Sequence, residues 1–137
     1  MQLKIKPKTY GPLTVRSDDD ATLVFETEAG HQAHGALAPS PDGLSPSDLV
    51  LAALGNCIAI SMRMAARQMT LELGALEVSA TATKATDLPN RFGRFELVVR
   101  SSRTIDATRV DELLRRTKDI CTISNTLGAE VTLLLNP

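Results

Sequence analysis

The sequence predicts a mixed helix-and-strand fold organised around one buried helix, and three features carry that reading. Between residues 49 and 62 no charge appears and only Asn56, Cys57 and Ser61 are clearly polar, so a helix there has no face to give to water. Short stretches on both sides of it alternate apolar and polar residues with the period of a strand that has one wet face. After Asp106, apolar residues return at helical spacing against a basic opposite face, the pattern of an amphipathic helix.

Taken in order, residues 2–16 read as extended, with Leu3 and Ile5 alternating against Gln2, Lys4 and Lys6, and Tyr10-Gly11-Pro12 marks a turn. Ser17-Asp18-Asp19-Asp20 is a polar turn rather than a calcium loop, which would need a glycine and a later glutamate. Residues 22–29 resume a strand, and Gly30 closes an N-terminal meander. His31 and His34 follow, but residues three apart on a strand face opposite sides and no Cys or carboxylate completes a ligand set, so they read as solvated histidines. Residues 35–44 form a loop of about ten residues, longer than the usual connection and of a length that often borders a site.

The central helix opens with Ser45 as cap, Pro46 at the first helical position and Asp48 three residues after the cap. Its uncharged run falls short of the roughly 20 apolar residues needed to cross a bilayer, so protein must cover it. Residues 76–85 alternate Leu76, Val78 and Ala80 against Glu77, Ser79 and Thr81; Leu88-Pro89-Asn90 turns the chain, and residues 92–101 form the next strand. The helix begun at Asp106 buries Val110, Leu113, Leu114 and Ile120 and turns Arg103, Arg109, Arg115, Arg116 and Lys118 to water. Cys121 falls where that helix ends and Ser124-Asn125 reads as a break. Residues 131–135 are continuously apolar and read as a strand interior to a sheet.

At 137 residues the chain reads as one domain, 1–137, large enough for a core but small for wrapping a helix completely, so a partner subunit is expected. Fifteen Lys and Arg against 16 Asp and Glu leave a net charge of −1, and with no Trp, one Tyr and three Phe the chain offers neither a nucleic-acid nor an anionic-membrane surface. The N-terminus lacks the apolar core of a signal peptide, which points to the cytoplasm. Two cysteines there are either buried apolar thiols or a redox pair. A cysteine reacts as thiolate and needs a cation, a helix N-terminus or hydrogen-bond donors to lower its pKa. Gly55-Asn56 directly precedes Cys57, and a helix restarting there would supply such N–H groups.

The run Leu44-Ser45-Pro46-Ser47-Asp48-Leu49-Val50-Leu51-Ala52-Ala53-Leu54-Gly55-Asn56-Cys57, followed by Met62-Arg63-Met64-Ala65, resembles the first cysteine motif of the OsmC/Ohr family of osmotically inducible and organic hydroperoxide resistance proteins. Cys121-Thr122-Ile123-Ser124-Asn125-Thr126-Leu127 is similar to the second, with Thr122 where Pro is usual. The resemblance implies an α+β fold: an OsmC-like intertwined homodimer with antiparallel sheets around buried central helices and two sites at the subunit boundary. It also implies a thiol-dependent peroxidase for organic hydroperoxides or hydrogen peroxide. Cys57 then matches the peroxidatic cysteine, Cys121 the resolving one, an external dithiol is the reductant, and no metal or flavin is involved. In the hydroperoxide-resistance branch a Glu follows the Pro of the first motif and pairs with an N-terminal Arg. Ser47 stands there in this chain, Asp48 matches the acidic site residue of other branches, and Arg16 is the nearest N-terminal arginine. Asp48 is equally accounted for as a capping-box residue, since nine residues of straight helix, about 13 Å, separate it from Cys57. The activating cation beside Cys57 is left unassigned, and Arg63 fits a pattern of OsmC-like branches in which it serves helix packing and charge pairing. The alternative is a non-catalytic OsmC-like dimer that binds a small hydrophobic ligand.

Overall fold

A computed structural model describes residues 5–137; the part of the first extended segment read at residues 2–4 lies outside the described residues. The chain falls into two compact units, one up to Asp48 and one from Leu49 onward. In the first, β1 (Thr14–Arg16), β2 (Leu23–Glu26) and β3 (Gln32–Gly35) form an antiparallel meander in the order β1-β2-β3. The expected long first strand shrinks to three residues, because only Thr14 to Arg16 find partners on β2, in the register Val15 to Phe25. The β2–β3 turn closes with Gly30 at φ +92, a conformation that suits glycine alone. Asp19 forms the acidic turn by accepting from the N–H groups of Ala21 and Thr22 at 2.9 and 2.6 Å. His31 and His34 are both exposed. The segment after β3 closes on itself as a compact loop: Ala36 N–H donates to Leu44 O at 2.9 Å and Leu44 N–H to His34 O at 3.0 Å. No residue of β1, β2 or β3 is buried.

The second unit holds most of α1 (Pro46–Gln68), then β4 (Leu76–Lys84), β5 (Phe92–Ser101), α2 (Ala107–Ile120), α3 (Thr122–Thr126) and β6 (Glu130–Leu135). β4 and β5 pair antiparallel with Ala80 opposite Leu97, whereas β5 and β6 run parallel with Leu97 opposite Leu133. A parallel pair needs a crossover, and α2 with α3 supplies it. The order β4-β5-β6 places β5 in the middle of this sheet, so β6 is an edge strand and not the interior strand its apolar run suggested. That run arises because Val131 and Leu133 are buried in the core while Leu134 stays 39% exposed. Phe95, Leu97 and Val99 fill the same core from β5, and Arg94, Glu96 and Arg100 take the wet face.

One stripe of α1 enters this core. Leu54, Ile58, Met62, Ala65 and Ala66 are at most 3% exposed and recur every three or four residues. By length and composition the 23-residue helix could span a membrane, contrary to the estimate from its uncharged run, but that stripe is committed to protein packing. The opposite stripe, formed by Leu49, Ala52, Ala53, Asn56, Ile60 and Met64, is exposed within one chain. α1 ends as Thr70 adopts φ 54 and Leu71 N–H reaches back to Ala66 O at 2.8 Å, the Schellman pattern. Of the cations expected to face water, Arg109 is half-buried and donates to Met69 O at 3.0 Å, while Lys118 stays exposed and its ammonium donates to Val131 O at 2.8 Å.

Candidate active site

Cys57 lies mid-way along α1, half-buried at the edge of the core stripe, between the buried Leu54 and Ile58. α1 runs unbroken through Gly55-Asn56, so the restart expected there does not occur. The glycine is where α1 passes over β4: a side-chain carbon at Gly55 would lie 3.9 Å from Val78 Cγ1. Asn56 points to the exposed stripe and caps nothing.

The donors that a restart would have provided come from a different helix. Asp106 caps α2 by accepting from Thr108 N–H at 2.9 Å, and α2 stops at Cys121, whose backbone turns extended (φ −69, ψ 104). Cys121 is therefore both the last cap of α2, donating its N–H to Thr117 O at 3.1 Å, and the first cap of α3, accepting from Ser124 N–H at its sulfur at 3.3 Å. Sulfur is an unusual N-cap, a position that oxygen-bearing Ser, Thr, Asp and Asn normally hold. The break in the chain is thus at Cys121 itself, and Ser124-Asn125, expected to break it, lies inside α3.

This arrangement brings the two thiols together. Burial works to raise the Cys57 pKa and is the largest single influence. It is outweighed by hydrogen bonds from Ile123 N–H, the Cys121 thiol, the Ser61 hydroxyl and Thr122 N–H, so the Cys57 thiol ionises below its ordinary value. Cys121, fully buried, is pushed the other way: desolvation raises it, Ser124 N–H offsets part of that, and the neighbouring Cys57 raises it further. The two shifts set an order, with Cys57 losing its proton before Cys121. The cation expected beside Cys57 is not among these groups, all of which are neutral hydrogen-bond donors among the described residues.

Asp48 sits in a reciprocal capping box. Its carboxylate accepts from Ser45 N–H and Ser45 Oγ, both at 2.9 Å, and its own N–H donates to Ser45 Oγ at 3.3 Å. The Ser45 N–H holds the Asp48 carboxyl below its usual range. Arg16 pairs with Asp18 at 3.2 Å within the first unit, and Arg63 donates to Gly74 O at 2.9 Å. The residues that sequence reasoning missed are Ser61, Thr122 and Ile123. Ser61 carried a usable signal, since a hydroxyl four residues after Cys57 on a helix lies on the same face; Thr122 carried one too, since it supplies an N–H where the usual Pro has none, and Ile123 carried none.

The model of the OsmC-like protein family matches residues 39–136. No curated relative matches the sequence. Among solved structures, the OsmC-like protein of Mycoplasma pneumoniae superimposes with a TM-score of 0.81 at 18% identity, over 95% of this chain and 99% of that one. An organic hydroperoxide resistance protein from Elizabethkingia anophelis gives 0.77 at 15% identity, over 96% and 98%. The organic hydroperoxide resistance protein OhrB of Bacillus subtilis gives 0.70 at 18% identity, over 93% and 98%. At these identities the likeness is one of fold.

Proposed function

The chain belongs to the OsmC-like protein family, and from that premise we propose that it is a homodimeric, cytoplasmic thiol peroxidase that reduces organic hydroperoxides or hydrogen peroxide. The observation that carries this reading is the shared site of Cys57 and Cys121, in which the surroundings lower the pKa of the first thiol and raise that of the second. The Cys57 thiolate attacks one oxygen of the peroxide; an S–O bond forms as the O–O bond breaks, and the leaving alkoxide takes a proton and departs as the alcohol. Cys57 is then a sulfenic acid. Cys121 attacks its sulfur, the S–S bond forms, and the hydroxyl leaves as water with the proton that Cys121 held. An external dithiol restores both thiols by exchange.

Asp48 is assigned to fixing the start of α1, in keeping with its capping box. The homodimer is supported by the apolar stripe of α1 and by a first unit whose strands bury nothing within one chain. A second reading, the non-catalytic dimer that holds a small hydrophobic molecule, draws on an apolar groove of about 390 Å³ beside α1, lined by Leu51, Ala59, Leu76 and Val78. Peroxide consumption in the presence of a dithiol decides between them. Under the peroxidase reading Cys57→Ser abolishes it, and Cys121→Ser allows one turnover that leaves Cys57 trapped by dimedone. Undiminished turnover by Cys57→Ser, or dimedone on Cys121, contradicts the assignment.

A further inference from the structure

Three helical hydroxyls in this protein stand one turn after a potential carbonyl partner, and they do not behave alike. Thr117 Oγ1 folds back on Leu113 O at 2.7 Å and Thr126 Oγ1 on Thr122 O at 2.7 Å, the usual fate of a hydroxyl inside a helix. Ser61, only 2% exposed, has the same option on the carbonyl of Cys57, yet its oxygen instead partners the sulfur of Cys57, 3.9 Å away, a contact in which the hydroxyl or the thiol can be the donor. That sulfur is its side-chain partner among the described residues. Once Cys57 ionises only the hydroxyl can donate, and a thiolate accepts far better than a thiol.

We propose that Ser61 is a positioning residue for the peroxidatic step, donating from α1 to the sulfur of Cys57. The proposal rests on the peroxidase reading for its meaning, although its geometry does not. Ser61 keeps its proton throughout; it stabilises the thiolate before the attack and releases the sulfur when the bond to Cys121 forms.

The other titratable group facing Cys57 is Cys121, and among the described residues no carboxylate, lysine, arginine or histidine acts on it. The experiment follows the rate at which iodoacetamide alkylates Cys57 against pH in the full chain, with peptide mass spectrometry separating Cys57 from Cys121. Loss of one hydrogen bond to a charged acceptor is worth about one pH unit, so Ser61→Ala moves the Cys57 midpoint up by about that much and slows alkylation about tenfold below it. Ser61→Thr keeps the hydroxyl and restores the midpoint. A midpoint that Ser61→Ala leaves in place, or one that Ser61→Thr moves as far as Ser61→Ala, overturns the proposal. A purely structural role for Ser61 would change melting temperature and leave the midpoint where it is. Because the readout is ionisation, failure of the peroxidase reading is seen separately, as wild-type Cys57 that ignores hydroperoxide.

Discussion

Ile60 offers the sharpest test of how the central helix is covered. It lies in the middle of the exposed stripe of α1 and leaves 56% of its surface open within one chain. Full burial of an isoleucine is worth about 1.5–3 kcal/mol, so covering the half still exposed contributes on the order of 1 kcal/mol per copy. A twofold interface counts each residue twice, which makes the Ile60 pair worth about 2 kcal/mol. Ile60→Ala should then weaken the dimer about thirtyfold, taking 1.4 kcal/mol per factor of ten. Ile60→Asp should do far more, because each copy would bring an unpaired carboxylate into an apolar interface at a cost of several kcal/mol. Sedimentation velocity across a dilution series measures both. The expected series is a tight wild-type dimer, a weakened Ala variant and an Asp variant that is monomeric or insoluble. Equal dissociation constants for wild type and Ile60→Asp, or a wild type that sediments as a stable monomer, would refute the reasoning that this stripe is an interface.

Asp48→Asn should lower the melting temperature and leave the alkylation rate of Cys57 within about twofold, since the carboxylate serves Ser45 and the helix dipole; a large rate loss at unchanged melting temperature would place Asp48 in the chemistry. The sign with pH follows from its lowered pKa. The folded state binds the proton less readily than the unfolded one, so the stabilisation is present above the ordinary carboxylate range and is lost as pH falls through the folded value, which a melting series in acid would trace. The two thiols should titrate in order: as pH rises, alkylation appears first at Cys57 and only later at Cys121, and the reverse order would contradict the site geometry.

What the sequence made legible was local. The capping residues Ser45 and Asp48, the alternation through Leu76, Val78 and Ala80, the apolar spacing of Leu113 and Leu114, and the polar turn at Asp19 each depend on residues close in the chain, and each stands where the pattern put it. The misreadings share a cause, which is that their outcome depended on a distant partner. Whether β6 is central is settled by the sheet order, in which β5 pairs with it in parallel and takes the middle. Arg109 left the wet face because the end of α1 stood within reach. The site was half legible for the same reason. Cysteine chemistry and family resemblance singled out Cys57 and Cys121, but the groups that acidify Cys57 include the backbone N–H groups of Thr122 and Ile123, which every residue type except proline carries.

The most direct test of the account is the intact mass of the fully reduced wild-type protein after one equivalent of an organic hydroperoxide. The account predicts rapid loss of two hydrogen atoms per chain, a digest in which the peptide of Cys57 is linked to that of Cys121, and recovery of both thiols on adding a dithiol. A mass that does not change, with both cysteines still open to alkylation, would contradict it.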